Sequence, residues 1–215
     1  MESPLRPPAE PDFRLIETLA FRPGRGFVRK DRHLARMART AAAFGLPFNP
    51  DAATAALDGA LGDTPLRCRL TLDASGAFEL TTGVLANNPP VWRIALSEQR
   101  LASNDLWLRH KTSRRALYDD ARAGLPDGID EVLFLNELDE LCEGTISNLF
   151  IEKQDGRILT PVLSSGLLPG ILREELLDKG TVSEAVLTLS DLKNAQTAYM
   201  GNSLRGLIRV ELMDT

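Results

Sequence analysis

Apolar and polar positions along the chain change period several times, and each change predicts an element. FRLIETLAF (13–21) is a short strand-like run, and Arg25-Gly26 forms a turn before a second short strand at Phe27-Val28. From Lys30 to Gly45, Leu34, Met37, Ala38, Ala41 and Ala42 fall at helical spacing, with Asp31 as cap, Gly45 as stop and Pro47 beyond it. Asn49-Pro50 opens a further helix through Ala60, because Asn caps well and Pro suits the first helical position. LRCRLTL (66–72) alternates as a half-buried strand should, and Ala74-Ser75-Gly76 turns it into a hairpin partner at Phe78–Thr81.

Ala86-Asn87-Asn88-Pro89-Pro90 has no periodicity and separates two halves. Beyond it the pattern predicts a strand at Val91–Leu96 and a helix at 113–123 ended by Gly124 and Pro126. Short strands at 131–135, 146–152 and 157–160 follow, divided by acidic turns as in an antiparallel meander. Gly166-Leu167-Leu168-Pro169-Gly170 leads into a helix at 171–179. A strand at 184–188, a short helix capped by Ser190 and a closing strand at 197–201 complete the chain. Residues 1–11 carry four prolines and read as a loose arm. The expectation is a mixed α/β (α+β) chain of two lobes, a smaller one at 1–88 and a larger one at 89–215 that includes Lys111.

Composition narrows the class. The 215 residues are 43% hydrophobic and 26% charged, close to a soluble globular average, so neither a disordered nor a fibrous chain is expected. A net charge of −5 argues against a dedicated nucleic-acid binder. No apolar run approaches the ~20 residues that span a bilayer. The N-terminus lacks the apolar core of a signal peptide, so the cytoplasm is expected, without membrane attachment. Cys68 and Cys142 follow no zinc spacing, and with two histidines in all a metal-built site is not expected. An enzyme of this composition works with charged side chains, backbone dipoles or an organic cofactor.

Several residues are candidates for such chemistry. Lys111 follows an apolar stretch and precedes a helix; it is either a solvated lysine of a basic loop or an amine with a lowered pKa, suited to Schiff-base chemistry. Glu143, beside Leu141, Cys142 and Ile146, is either a turn acid or a buried carboxylate that needs a partner, for which a protonated ring nitrogen would serve. The loop Gly166–Gly170 before a helix offers free N–H groups and the positive end of a helix dipole to an anion such as phosphate, and otherwise is an ordinary turn. Arg36 in the first helix is either a surface residue or an inward phosphate ligand. Gly201-Asn202-Ser203 offers a hydroxyl and backbone donors. His33 and His110 stand in no nucleophilic triad and read as structural.

Taken in order, the blocks HKTSRR (110–115), DEVLFLNELDELCEGTISNLF (130–150), LTPVLSSGLLPGILREELL (159–177) and AYMGNSLRGLIRV (198–210) resemble the class IV aminotransferase family. The resemblance extends over about residues 13–210, with weaker matches at Phe13–Thr18 and Asp31–Met37. Within the family, HKTSRRALYDDAR is similar to the 4-amino-4-deoxychorismate lyase type, including lyase domains fused to aminodeoxychorismate synthase. The resemblance implies pyridoxal 5'-phosphate as cofactor and fold type IV, the two-lobed D-amino acid aminotransferase-like fold. It also implies a homodimer, and aminodeoxychorismate synthase as a partner. Members carry a Gly-rich stretch before the Glu-Thr pair; here Glu17-Thr18 comes almost at the start, so a shortened N-terminus is expected.

By this resemblance Lys111 falls at the Schiff-base lysine and Glu143 at the partner of the pyridine nitrogen. Arg36, the amides of Ile171 and Leu172, and Ser203 fall at phosphate-holding positions, and Arg115 near the ring oxygen of the cofactor. Arg114 and Arg205 are expected to hold a dianionic substrate. The implied reaction is elimination of pyruvate from 4-amino-4-deoxychorismate to give 4-aminobenzoate, a folate precursor. Two alternatives are a class IV transaminase for branched-chain or D-amino acids and a non-catalytic binding module of the same fold.

Overall fold

The computed structural model describes residues 12–60 and 62–213, so the arm expected at 1–11 lies outside the described residues. The chain divides into two compact units, 1–87 with 110–115, and 88–109 with 116–215. One division between the units falls between Asn87 and Asn88. The segment that carries Lys111, however, belongs with the first unit rather than with the larger C-terminal one.

In the first unit, β1 (Arg14–Arg22), β2 (Gly26–Phe27), β3 (Leu66–Asp73) and β4 (Phe78–Val84) form an antiparallel sheet in the order β2-β1-β3-β4. Alternation along β3 buries Cys68, Leu70 and Leu72, while Arg67 is exposed and Arg69 and Thr71 are half-buried. The β3–β4 turn is tied by Asp73, whose Oδ1 accepts from the Ser75 and Ala77 amides at 2.8 and 2.9 Å. Helix α1 (Lys30–Phe44) ends on Gly45 at φ 66°, a left-handed stop that favours glycine. Its start differs from expectation: Arg29, at φ 57°, is the N-cap, and Asp31 sits in the first turn. Helix α2 (Pro50–Leu57) is shorter than predicted but is capped as predicted, with Asn49 Oδ1 accepting from the Asp51 and Ala52 amides.

The second unit contains β5 (Val91–Leu101), α3 (Ala116–Ala123), β6 (Glu131–Asn136), β7 (Leu141–Gly144), β8 (Asn148–Glu152) and β9 (Ile158–Pro161). After these come α4 (Ile171–Asp178), β10 (Ser183–Ala185), α5 (Leu189–Lys193), β11 (Thr197–Asn202) and β12 (Gly206–Leu212). The strand order is β10-β9-β8-β11-β12-β5-β6-β7, and β7 pairs back onto β8, so the strands from β8 to β7 close into a ring. The sheet is mixed rather than a simple meander, since β5 runs parallel to β6 and β12, and β9 parallel to β10. Helix α5 is capped by Thr188 in a capping box with Asp191, not by Ser190.

Strand β6 is buried along its whole length, and its two faces feed different cores. Leu133 and Leu135 join Ile94, Leu149, Ile151, Met200 and Ile208. Val132 and Phe134 join Leu101, Cys142 and the inner side of α3. Each such buried leucine or phenylalanine contributes roughly 1.5–3 kcal/mol, so β6 and its neighbours form a stiff frame for the loops at their ends.

Candidate active site

In the first unit the segment after His110 runs along β1. The Lys111 carbonyl accepts the Ile16 N–H at 2.9 Å, Thr112 bridges Leu15, and Ser113 N–H donates to the Arg14 carbonyl at 2.8 Å. This pairing holds 111–113 extended, which is why α3 begins at Ala116 and not at 113. The Lys111 side chain is half-buried. Arg114 is exposed and Arg115 half-buried on the same segment. The His110 imidazole packs edge-on against Phe44 at 5.0 Å and lies 3.3 Å from Thr40 Oγ1, and burial lowers its pKa.

One residue further along β1 stands Glu17, only 1% exposed. Arg36 grips it from two sides, with Nε donating to Oε1 and Nη2 to Oε2, both at 2.7 Å. His33 Nδ1 lies 2.6 Å from Oε2. Burial pushes the Glu17 carboxyl up, but the Arg36 charge and the His33 hydrogen bond and charge outweigh it and bring the pKa down to about 2. Arg36, expected as a phosphate ligand, is thus an inward arginine held in a fixed pose by a carboxylate. Sequence reading missed Glu17 as that carboxylate. An acid inside the apolar run Leu15–Leu19 was the available signal, because such a group needs a cation beside it.

The second unit assembles a different group. Glu143 on β7 is buried, and its Oε1 accepts from the Tyr118 hydroxyl at 2.7 Å. Its strand partner is Asn148. The Asn148 side-chain amide reaches Glu143 Oε2 at 3.4 Å and donates to the Leu168 carbonyl at 3.0 Å. One side chain therefore ties the buried acid to the glycine loop that opens α4. Gly170, the N-cap of α4, provides no side-chain acceptor, and a Cβ there would collide with Asn148 Oδ1. Ile171 and Leu172, the first residues of α4, are buried. Gly166, at φ 90°, passes against the Ser103 backbone, where a Cβ would come within 2.9 Å of its Cα.

Ser203 lies in the β11–β12 turn and is buried. Asn202 shapes that turn, its Oδ1 accepting from the Leu204 and Arg205 amides at 3.0 and 2.9 Å. Asn202 also donates to the Ile146 carbonyl at 3.0 Å. Ile146 is itself held by fully buried Glu131, which accepts from the Thr145 amide and hydroxyl, the Ile146 amide and the Ser147 hydroxyl. At the base of the turn Gly201 lets α4 approach, since a Cβ there would lie 3.1 Å from Leu172 Cδ2. The start of α4 and the Ser203 turn are thus neighbours. Tyr118, Asn148 and Glu131 were not singled out from sequence. Arg205 was expected at the substrate; its Nη1 bonds Asn88 Oδ1 at 3.1 Å and its guanidinium stacks over Trp92 at 5.8 Å.

The donor sets suit distinct parts of one organic cofactor. The α4 start, without a side-chain cap and with a buried hydroxyl turn beside it, suits an anion. Glu143 suits a protonated ring nitrogen. The Cys142 thiol is not a rival nucleophile, since burial and the Glu143 charge push its pKa up to about 12. Among the described residues no group of His, Cys, Asp and Glu is placed to hold a metal ion, and no helix is long and apolar enough to cross a membrane.

This architecture is that of the pyridoxal-phosphate enzymes of fold type IV, with mixed α/β content. The chain belongs to the class IV amino-transferase family, whose model matches residues 14–213. Members of this family use pyridoxal phosphate. Among solved structures, a Mesorhizobium loti protein assigned provisionally as an amino-acid aminotransferase is 45% identical, with TM-score 0.88, over 94% of this chain and 100% of that one. The 4-amino-4-deoxychorismate lyase of Pseudomonas aeruginosa is 26% identical, with TM-score 0.80, over 94% of this chain and 83% of that one. The aminodeoxychorismate lyase of Vibrio harveyi is 32% identical over 125 residues, which are 55% of this chain and 45% of the relative. The chain matches less than half the length of the curated relatives.

Proposed function

We propose that this chain binds pyridoxal 5'-phosphate and is a 4-amino-4-deoxychorismate lyase, releasing pyruvate and 4-aminobenzoate. The observation that carries the cofactor reading is the Asn148 tie between buried Glu143 and the loop that opens α4. It fixes an acid and an anion-binding helix start relative to each other, as the ring nitrogen and phosphate of one rigid cofactor require. The block HKTSRRALYDDAR and the similarity to the Vibrio harveyi enzyme favour the lyase.

In this reading the amides of Ile171 and Leu172, the Ser203 hydroxyl and Arg36 hold the phosphate. Glu143 holds the proton on the ring nitrogen, and Arg115 lies toward the ring oxygen. Lys111 would hold the cofactor, and its amine would take the proton from the amine-bearing carbon of the substrate. Pyridoxal phosphate, when bound, supplies the electron sink for the pair that this proton leaves behind. The enolpyruvyl C–O bond would then break, the departing enolate would take back the proton that Lys111 holds and leave as pyruvate, and the six-membered ring would become aromatic. Arg114 remains the candidate to hold a substrate carboxylate. Arg205 serves that role only by leaving Asn88.

The 45% identical Mesorhizobium loti protein favours a second reading, amino-group transfer, with the same lysine and acid. Purified protein supplied with pyridoxal phosphate and 4-amino-4-deoxychorismate distinguishes the two. The lyase reading expects 4-aminobenzoate and pyruvate in equal amounts, and it is lost if none forms while amino groups pass to 2-oxoglutarate. A protein that gains no visible absorption band with the cofactor defeats both readings and leaves a non-catalytic module. The lyase reading also carries a homodimer in the cytoplasm, supplied with substrate by aminodeoxychorismate synthase.

A further inference from the structure

Helix α3 contributes one hydroxyl to the buried acid, and nothing assigned so far uses it. The Tyr118 ring meets Phe134 edge-on at 5.4 Å and 81°, and Phe134 is fully buried on β6. That contact sets the ring direction, and the direction brings the hydroxyl to Glu143 Oε1 at 2.7 Å. The length is that of a charge-assisted O–H···O bond, stronger than one between neutral groups. On the same helix Asp119 and Asp120 are exposed, and the Tyr118 ring packs with Ala95, Leu101, Val132 and Cys142. A phenol that enters such a cluster needs a partner for its hydroxyl, and here the partner is the acid.

We propose that Tyr118 is a positioning residue for Glu143, holding its carboxylate ionised and in one orientation for the ring nitrogen. The inference rests on the reading of Glu143 as the acid at that nitrogen. A hydroxyl donating to a carboxylate favours its charged form. In a carboxylate–pyridinium pair it therefore keeps the shared proton on nitrogen, where the electron sink needs it. The groups that act on Glu143 include the Asn148 amide, and the Arg109 guanidinium and Cys142 thiol interact with its charge. The amide donates along the strand pair at 3.4 Å, a longer bond than that of the phenol.

The test is Tyr118→Phe in the whole protein, beside Glu143→Gln and the double variant. Phe keeps the contact with Phe134 and removes only the hydroxyl. We expect kcat to fall roughly tenfold to a hundredfold, the loss of one hydrogen bond to a charged group, with KM little changed. The absorption spectrum of bound pyridoxal phosphate should change its pH dependence, and cofactor-free protein should melt close to wild type. In the Glu143→Gln background the added Tyr118→Phe should cost nothing further. An equal cost in both backgrounds means the ring acts by packing and overturns the proposal. An unchanged spectrum and kcat in Tyr118→Phe, where Glu143→Gln alters both, also overturns it and leaves the reading of Glu143 intact. If Glu143→Gln itself changes neither, that reading fails and takes this inference with it.

Discussion

At the scale of single residues, the unit around β1 depends on one charge. Glu17 has a folded pKa of about 2 against 4.5 unperturbed, a gap of about 3 kcal/mol. Because the folded value is the lower one, this stability is fully present above pH 4.5 and is lost as pH falls toward 2. Glu17→Gln should therefore be less stable than wild type at pH 7, since Arg36 would stay buried without its carboxylate. The difference should shrink between about pH 5 and pH 2, which denaturant melts at a series of pH values measure. A second residue-scale prediction concerns Gly170, whose missing Cβ makes room for Asn148. Gly170→Ala should cost about 1–3 kcal/mol and weaken pyridoxal phosphate binding, since Asn148 must leave Glu143 and Leu168. Spectral titration of the cofactor-free variant checks the second half. Pattern left Arg36 and Glu143 open between an outward and an inward role, and the family resemblance gave them their expected roles. Pattern could not reveal that Glu17 and Tyr118 are their partners, because pairs 19 and 25 positions apart leave no periodic trace.

At the scale of elements, the legible features were those with local causes. Asn49-Pro50 starts α2 because side chain and ring act within one turn. Asn49→Ala should lower stability by about 1 kcal/mol and shift the denaturation midpoint without changing the slope. Helix α1 was found from its apolar spacing, yet its buried face is His33, Arg36, Met37, Thr40, Ala41 and Phe44. The face is turned from the expected stripe because Glu17 draws His33 and Arg36 inward, and Ala42 is exposed. Two strands were not read at all. β12 carried a usable signal, since Ile208 and Val210 are buried while Leu207, Arg209 and Glu211 are exposed. β7 carried none: four residues, one an acid, become a strand only because β6 and β8 flank them. That unreadable strand bears Glu143.

At the scale of the molecule, each of the two units holds its own set of tied side chains. β1 of the first unit collects Lys111 and, through Glu17, Arg36. The closed ring of the second fixes Glu143, the α4 start and the Ser203 turn through Asn148, Asn202 and Glu131. These ties are made by the chain's own side chains, and a cofactor that binds the folded chain should appear as added stability. A ligand that binds only the folded state, at about a hundred times its Kd, adds about 2.7 kcal/mol. For a chain of this length that is a rise in Tm of roughly 5–10 °C. Calorimetry with and without pyridoxal phosphate should show that rise in wild type. Lys111→Ala removes the covalent link and leaves both frameworks in place, so it should melt as wild type does without cofactor and gain less when cofactor is added. A wild type that gains nothing at saturating cofactor would mean that these preformed groups serve another ligand.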